Sequence, residues 1–387
     1  MGEIYHGKGN ESLYGEYMDF INYVFGFNGT DRDFKKLLPK LYKPEDRPVE
    51  SSYVTLDDGK IRAAVGAFDH SISVCGECLK CRGIGNVAVH PYERSKGYMK
   101  ALMNMATQDM ISDGVDLSIL GGRRQRYNYF SYEKTGVAYN FTLNSDNMRH
   151  VYGKDRSAYH TLTVKKLRSE DNEALDAIAA LTARQPYSPV REREQLYDIL
   201  VSWQCVPYAF IKQNETVGFC VVGGGKKVHE IVLQDKNDFV NAVISLYDAL
   251  KQPSISVCLP PFCTEYIAQL YNVCEGYEIT TPKSFSVFNY KRVITAFLHL
   301  KATYTELPEG EFCMLVHGVA GDERLQIRIR NDVVKVEEYK GEVDIELDHI
   351  DAMNLLFSPF CPERDKLSHF ARILLPLPLW LYSADAV

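Results

Sequence analysis

The sequence is poor in tryptophan, with 2 in 387 residues, and it has no surplus of basic charge. Its 44 Lys and Arg stand against 51 Asp and Glu, a net charge of −7, and no long block of either sign interrupts the chain. Bulk nucleic-acid binding needs clustered cations to neutralise phosphates, so no nucleic-acid partner is expected. No stretch approaches the roughly 20 consecutive apolar residues of a membrane span. The segment Met1–Phe20 carries acids and lacks an apolar core, so no signal peptide is expected and a cytoplasmic location is. Met1-Gly2 opens like a myristoylation site, but His6 stands where Ser or Thr is needed. Hydrophobic residues make up 45% and charged residues 25%, which excludes a disordered or fibrous chain. What the chain has in excess is Tyr, 25 of them beside 18 Phe. Such numbers point to pockets or interfaces where a ring is buried and its hydroxyl finds a partner.

The ten Cys lie mostly in apolar strands such as Phe219-Cys220-Val221 and read as reduced core thiols. Cys75-Gly-Glu-Cys78-Leu-Lys-Cys81 is denser. An iron–sulfur run needs a fourth Cys soon after the third, and structural zinc takes four ligands. The next Cys is Cys205, so the cluster reads as a Cys-rich hairpin turn, and no metal is expected.

The pattern of apolar positions divides the chain in three. Residues 1–150 read as β-α-α-β-β-β-α-β-α-β: a strand from Glu3, helices over Glu11–Phe25 and Asp31–Leu41, and three strands beginning at Ser52, Ile61 and Ile84. A helix over Lys96–Ser112 follows, then a strand at Leu117–Leu120, a helix near Tyr127–Lys134 and a strand at Val137–Leu143. Residues 151–289 repeat that order with barely related residues, as an old duplication would. Residues 290–387 switch to a strand meander with helices, then the apolar, Pro-rich run Leu375–Tyr382. Such a run is extended, and docking onto another part of the protein is the simplest way to bury it. The expected fold class is α/β with mixed α+β sheets, in three units.

Chemistry concentrates at Val87-Ala88-Val89-His90-Pro91, followed by Arg94-Ser95-Lys96-Gly97-Tyr98-Met99. A buried strand leads into a basic, Gly-containing turn and then an amphipathic helix. Free backbone N–H groups and the positive end of the helix dipole converge there, which suits a pyrophosphate. The matching corner of the second unit, Leu233-Gln-Asp235-Lys-Asn-Asp238, has no Gly and carries two acids, which would cap the helix and repel phosphate.

This stretch resembles the acetyl-CoA-binding motif of the GNAT N-acetyltransferases, whose usual form is Arg/Gln-x-x-Gly-x-Gly/Ala. Met99 in the last position is typical of the Eis-like branch. The three-part layout is similar to that branch as well: an active GNAT domain over 1–150, a degenerate one over 151–289, and a sterol-carrier-protein-like domain over 290–387. Val343–Phe357 is similar to the strand-then-helix of that third domain. The resemblance implies acetyl-CoA as co-substrate, with Val87, Ala88, Val89, Arg94, Ser95, Lys96, Gly97, Tyr98 and Met99 binding it in the first unit. It also implies a trimeric or hexameric homo-oligomer.

Many GNAT enzymes carry a Glu base on the strand before the cradle, but here it reads Gly83-Ile-Gly-Asn86-Val87, with no acid. Eis-like enzymes are thought to use their own terminal carboxylate, so the resemblance makes that of Val387 the candidate base. A packed tail with a solvated end is the alternative. Tyr132-Glu-Lys-Thr-Gly136 resembles the family's Tyr-x-x-x-Gly stretch and makes Tyr132 the candidate acid, with Tyr127 and Tyr129 as neighbours that compete for the role. Gly121-Gly122 leaves room for an amine, and His90 is a possible relay or a structural His. The leading expectation is an acetyl-CoA-dependent N-acetyltransferase acting on a primary amine. The acceptor is expected to be a small cationic molecule, aminoglycoside- or polyamine-like, or a Lys side chain. The second is a protein that binds an apolar ligand in its third unit, with acetyl-CoA as a regulator.

Overall fold

A computed structural model describes residues 4–27, 29 and 32–387. The first stretch contains β1 (Ile4–Lys8), α1 (Tyr14–Gly26), α2 (Phe34–Leu37), β2 (Ser52–Asp57), β3 (Lys60–Val74) and β4 (Glu77–Val89). It continues with α3 (Tyr98–Ser112), β5 (Leu117–Leu120), α4 (Arg124–Asn128), β6 (Glu133–Thr135) and β7 (Ala138–Asn144). The middle stretch holds α5 (Ser145–Tyr152), β8 (Thr163–Lys166), α6 (Asn172–Ala183), β9 (Tyr187–Val190) and α7 (Leu196–Val201). Next come β10 (Val206–Lys212), β11 (Glu215–Val222), β12 (Lys227–Leu233), α8 (Phe239–Leu250), β13 (Ser254–Leu259), α9 (Thr264–Tyr271), β14 (Gly276–Thr280) and β15 (Lys283–Val287). The last stretch holds α10 (Tyr290–Ala302), β16 (Gly310–Gly318), β17 (Gly321–Arg330), β18 (Val333–Glu338), β19 (Ile345–Asp348), α11 (His349–Phe357) and α12 (His369–Leu374). The architecture is mixed α/β. Among the described residues, no helix is long and apolar enough to cross a membrane.

The strands form three sheets, ordered β1-β2-β3-β4-β5-β15-β6 with β9 added beside β3, β14-β7-β13-β12-β11-β10-β8, and β18-β17-β16-β19. The sheets do not divide at residue 150. Strand β7 leaves the first stretch and lies between β13 and β14, while β15 returns from the second stretch to lie between β5 and β6. Two residues separate β6 from β7. One of them, Gly136, takes φ +80, and a Cβ there would stand 2.6 Å from the carbonyl oxygen of Leu379. Only glycine lets the chain leave the first sheet under the C-terminal tail.

Local signals account for most element ends. Tight hairpins at Asp58-Gly59, Cys75-Gly76, Gln213-Asn214 and Asn331-Asp332 all have positive φ at both central residues, the turn that matches strand twist. The Cys-rich segment is thus the hairpin between β3 and β4, with Cys78 exposed and Cys81 buried in the core. The residues expected to start the first strand and second helix, Glu3 and Asp31, lie outside the described residues. Helix α2 is one turn capped by Asp33, whose carboxylate accepts from the Lys36 amide. The expected Tyr127–Lys134 helix is shorter and earlier, because Ser131 turns at φ +64 and ends it before β6.

The Tyr surplus follows the expected pattern. Buried hydroxyls of Tyr17, Tyr42, Tyr132, Tyr187 and Tyr290 meet Ser52, Asn86, Ser118, the Trp380 carbonyl and His349 respectively. One continuous core joins the helices of the last stretch to β3–β5, β15 and the tail residues Leu377, Leu379, Trp380 and Leu381. The tail is extended and buried. At ~1.5–3 kcal/mol per large side chain removed from water, its docking is worth roughly 10 kcal/mol before ordering costs.

Candidate active site at the splayed end of the first sheet

Strands β4 and β5 pair in parallel only over Cys81–Ile84 and Leu117–Leu120. Strand β4 runs on to Val89 without that neighbour. A bulge sits near its end, where Asn86 takes φ +47 and its side-chain amide donates to the Tyr42 hydroxyl at 2.5 Å. Bulges re-aim the strand beyond them. The unpaired backbone of Val87 and Val89 therefore borders open space between the two strands.

Two cavities meet at this gap. The first, about 710 Å³, is lined by Val87, Val89 and all of Arg94, Ser95, Lys96, Gly97, Tyr98 and Met99. Every proposed cofactor residue except Ala88, whose side chain points into the core, is gathered there. Gly97 takes φ +84 at the start of α3, and a Cβ there would meet nothing. Its requirement is conformational rather than steric. Arg94 is exposed, while Lys96 pairs with Glu93 at 2.5 Å, which holds the Lys96 ammonium above its usual range. The matching corner of the second stretch is closed. Asp235 accepts from the Asn237 amide, and Asp238 is held by Lys212 at 2.8 Å.

The second cavity, about 570 Å³, is bounded by Gly83–Val87, Gly121–Gly122, Tyr127 and the chain end Leu381–Val387. Val87, Arg123 and Arg126 border both spaces. Val387 lies directly against β4. A Cβ built on Gly83 would stand 2.5 Å from its Cγ2, and one on Gly85 would stand 3.2 Å from its carboxyl carbon. The two glycines that leave this strand without an acid are the residues that make room for Val387.

The chain end is fixed from three directions. Lys40 donates to the carbonyls of Ala384 and Ala386 at 2.6 and 2.8 Å, and Trp203 Nε1 donates to Ala386 at 3.1 Å. Arg191 makes paired bonds to Asp385 and to Glu230, and all three side chains are under a tenth exposed. Burial pushes Lys40 down to about 7. Burial alone would raise Asp385, but the Arg191 guanidinium holds it below its ordinary value.

The three candidate tyrosines separate cleanly. Tyr132 is buried, bonds Ser118 at 2.6 Å and borders neither cavity. Burial raises its hydroxyl well above the ordinary range. Tyr129 is exposed on the outer face, under the Lys100 ammonium. Tyr127 lines the second cavity, and its ring occupies the space above Gly122, where a Cβ would stand 2.2 Å away. Of the three, Tyr127 is the one that borders the second cavity, because the end of α4 turns it inward while the following β6 draws Tyr132 into the core. His90 accepts from the Tyr92 amide and stacks on Tyr23, a structural role.

Sequence reasoning passed over Arg123 and Arg126, although the run Arg123-Arg124-Gln125-Arg126 after β5 is a readable basic signal. It also passed over His70, Trp203, His229, Lys283 and Asp385, which come from separate elements and share no local motif.

Residues 8–139 match the family described as acetyltransferase (GNAT) domain. Solved structures share the fold over the whole chain. A conserved protein of unknown function from Enterococcus faecalis V583, titled a probable N-acyltransferase, is 15% identical with a TM-score of 0.67, covering 97% of this chain and 98% of that one. A GCN5-related N-acetyltransferase from Anabaena variabilis is 13% identical with a TM-score of 0.65, covering 98% of each chain. Eis1 from Mycobacterium abscessus is 12% identical with a TM-score of 0.65, covering 100% of each. No curated protein sequence matches the chain at a significant level. The match to the acetyltransferase (GNAT) domain covers residues 8–139, and the solved structures share the mixed α/β fold of the whole chain.

Proposed function

We propose that the protein transfers an acetyl group from acetyl-CoA to the primary amine of a small molecule, at one site per chain where the two cavities meet. The observation that carries this is the juxtaposition of a phosphate-type cradle, an unpaired strand edge at Val87, and the carboxyl group of Val387 against Gly85. Arg94, the amides at the start of α3 and the positive helix end would hold the pyrophosphate, and Met99 and Tyr98 would flank it. The Val87 amide would donate to the thioester carbonyl oxygen as charge develops there. The Val387 carboxylate accepts the proton that the attacking ammonium must lose. The amine nitrogen bonds to the acetyl carbon, the carbon–sulfur bond breaks, and the sulfur leaves with its electron pair. Tyr127 gives its proton to that sulfur and is restored by the second proton that the newly bonded nitrogen sheds, giving an N-acetyl amide and the free thiol of CoA, while the proton held by Val387 passes to solvent.

The layout of an active GNAT unit, a degenerate one and a sterol-carrier-protein-like third unit belongs to the same reading, with the exchange of β7 and β15 joining the first two. A trimeric or hexameric assembly belongs to it too, and sedimentation measures that. The apolar-ligand alternative is less favoured, since the apolar interior of residues 290–387 packs against β3–β5 and the tail.

Isothermal titration with acetyl-CoA, followed by thiol release with a panel of amines, tests the proposal. Tight binding without turnover on any amine would overturn it. Arg94→Glu is expected to weaken acetyl-CoA binding by about 100-fold or more, by placing a carboxylate in the phosphate site; unchanged affinity removes the cradle assignment. Tyr127→Phe is expected to lower kcat by about 10²-fold with acetyl-CoA affinity intact. Tyr132→Phe is expected to cost about 1 kcal/mol of stability through the lost Ser118 bond and to leave kcat within a few-fold. The reverse ranking in steady-state kinetics restores Tyr132 as the acid.

A further inference from the structure

The net charge of −7 points to a cationic acceptor, but charge is local, and the acceptor cavity carries the opposite bias. Its lining includes Arg32, Arg123, Arg126 and Lys283. Among the described residues its acids are Asp385, already paired with Arg191, and the Val387 carboxyl group assigned to catalysis. Arg123 and Arg126 also border the cofactor cavity, and Arg32 is exposed at the rim. Lys283 is different. It opens β15, the strand that crosses back into the first sheet, and it stands half-buried on the cavity wall.

No carboxylate among the described residues pairs with Lys283. Burial lowers Lys283 first and foremost, and no carboxylate offsets it. After burial, the Cys258 thiol raises it and the Lys227 ammonium opposes that. Lys283 in turn lowers both Lys40 and His229. A second observation points the same way. Both ring nitrogens of His70, on the wall of the same cavity, are buried without any hydrogen-bond partner. Burial also pushes the imidazoles of His70 and His229 down to about 4, so each is neutral at physiological pH and offers one N–H. An unpaired ammonium and the unsatisfied imidazole of His70 on the wall of one cavity are the complement of a small anion.

We propose that the acceptor is a primary amine that also carries a carboxylate, with Lys283 binding the carboxylate while the amine reaches Val387. One ammonium with neutral imidazole donors suits a singly charged carboxylate. A phosphate monoester, with close to two charges, would draw on Arg123 or Arg126 as well. The proposal rests on the acetyltransferase reading for the position of the amine, and on the cavity wall alone for the anion.

The test uses three series matched in chain length: ω-amino carboxylates, n-alkylamines and α,ω-diamines. Each is titrated into the CoA-saturated protein and then assayed for thiol release with acetyl-CoA. The amino carboxylates are expected to bind about tenfold or more tightly than the other two series, with kcat/KM following. Lys283→Gln is expected to abolish that preference without changing acetyl-CoA affinity, and Lys283→Arg to keep most of it. Removing an unpaired buried charge should not prevent folding, and Lys283→Arg guards against that outcome. Equal or tighter binding of diamines, no binding of any series, or an unchanged preference in Lys283→Gln overturns the anion subsite. Selective binding of amino carboxylates with no acetyl transfer sinks the acetyltransferase reading and leaves the subsite standing. Equal acetylation of all three series does the reverse.

Discussion

Extending the chain by a few residues past Val387 is expected to cut kcat by about 10²–10⁴-fold, the usual range for losing a general base. Acetyl-CoA affinity should stay within about twofold, because the cradle at Arg94–Met99 lies in the neighbouring cavity. The effect is large because β4 has no acid of its own there. Gly83 and Gly85 occupy the positions facing the gap, and Val387 fills the space they leave. A second perturbation reaches the same atoms from the opposite side. In Gly83→Val the new side chain begins 2.5 Å from Val387 Cγ2, so the chain end must move. Both variants should lose kcat together, and their double mutant should lose little more, since they remove one function. Normal turnover in the extended protein would remove Val387 from the mechanism.

Arg191→Met is the second large effect, and it is one of stability. Among the described residues, Arg191 is the only cation bonded directly to both Glu230 and Asp385, each less than a tenth exposed. Burial already leaves Glu230 above its ordinary value despite the guanidinium. Removing the cation strands two carboxylates, a change that costs about 3–5 kcal/mol. The first urea-unfolding transition should move to lower denaturant accordingly. Replacing Arg191, Glu230 and Asp385 together with apolar residues of similar size should recover most of that loss, because an intact buried ion cluster is worth little over a packed apolar one. It should not recover kcat, since Asp385 and the carbonyls bonded to Lys40 fix the path of the last residues. Full activity in the apolar triple variant would show that the chain end needs no such anchoring.

Much of this fold is written in local patterns. The hairpins at Asp58-Gly59 and Cys75-Gly76, the stripe Leu102, Met103, Ala106 and Met110 on α3, and the repeated element order are all readable from spacing and turn chemistry. The exchange of β7 and β15 is not. A strand's alternation reports which face is buried but not which neighbour it pairs with, and both strands would be equally at home in their own unit. The gathering of Val87, Val89 and Arg94–Met99 around one cavity was legible because strand, turn and helix are contiguous there. The choice among Tyr127, Tyr129 and Tyr132 was not, since they fall within six consecutive residues and differ only in where α4 ends. The character of the acceptor cavity was the least legible. Lys283, His70 and the chain end come together from positions hundreds of residues apart, and the summed charge of −7 has the opposite sign to the lining.

A crystal structure with CoA bound, paired with an amine acceptor, tests the central claim most directly. The expected density places the pyrophosphate against Arg94–Gly97 and the sulfur beside Val87 and Tyr127, with the amine between that sulfur and the Val387 carboxylate. Pyrophosphate density at the Asp235–Asp238 corner of the second sheet, or a sulfur remote from Val387, would contradict it.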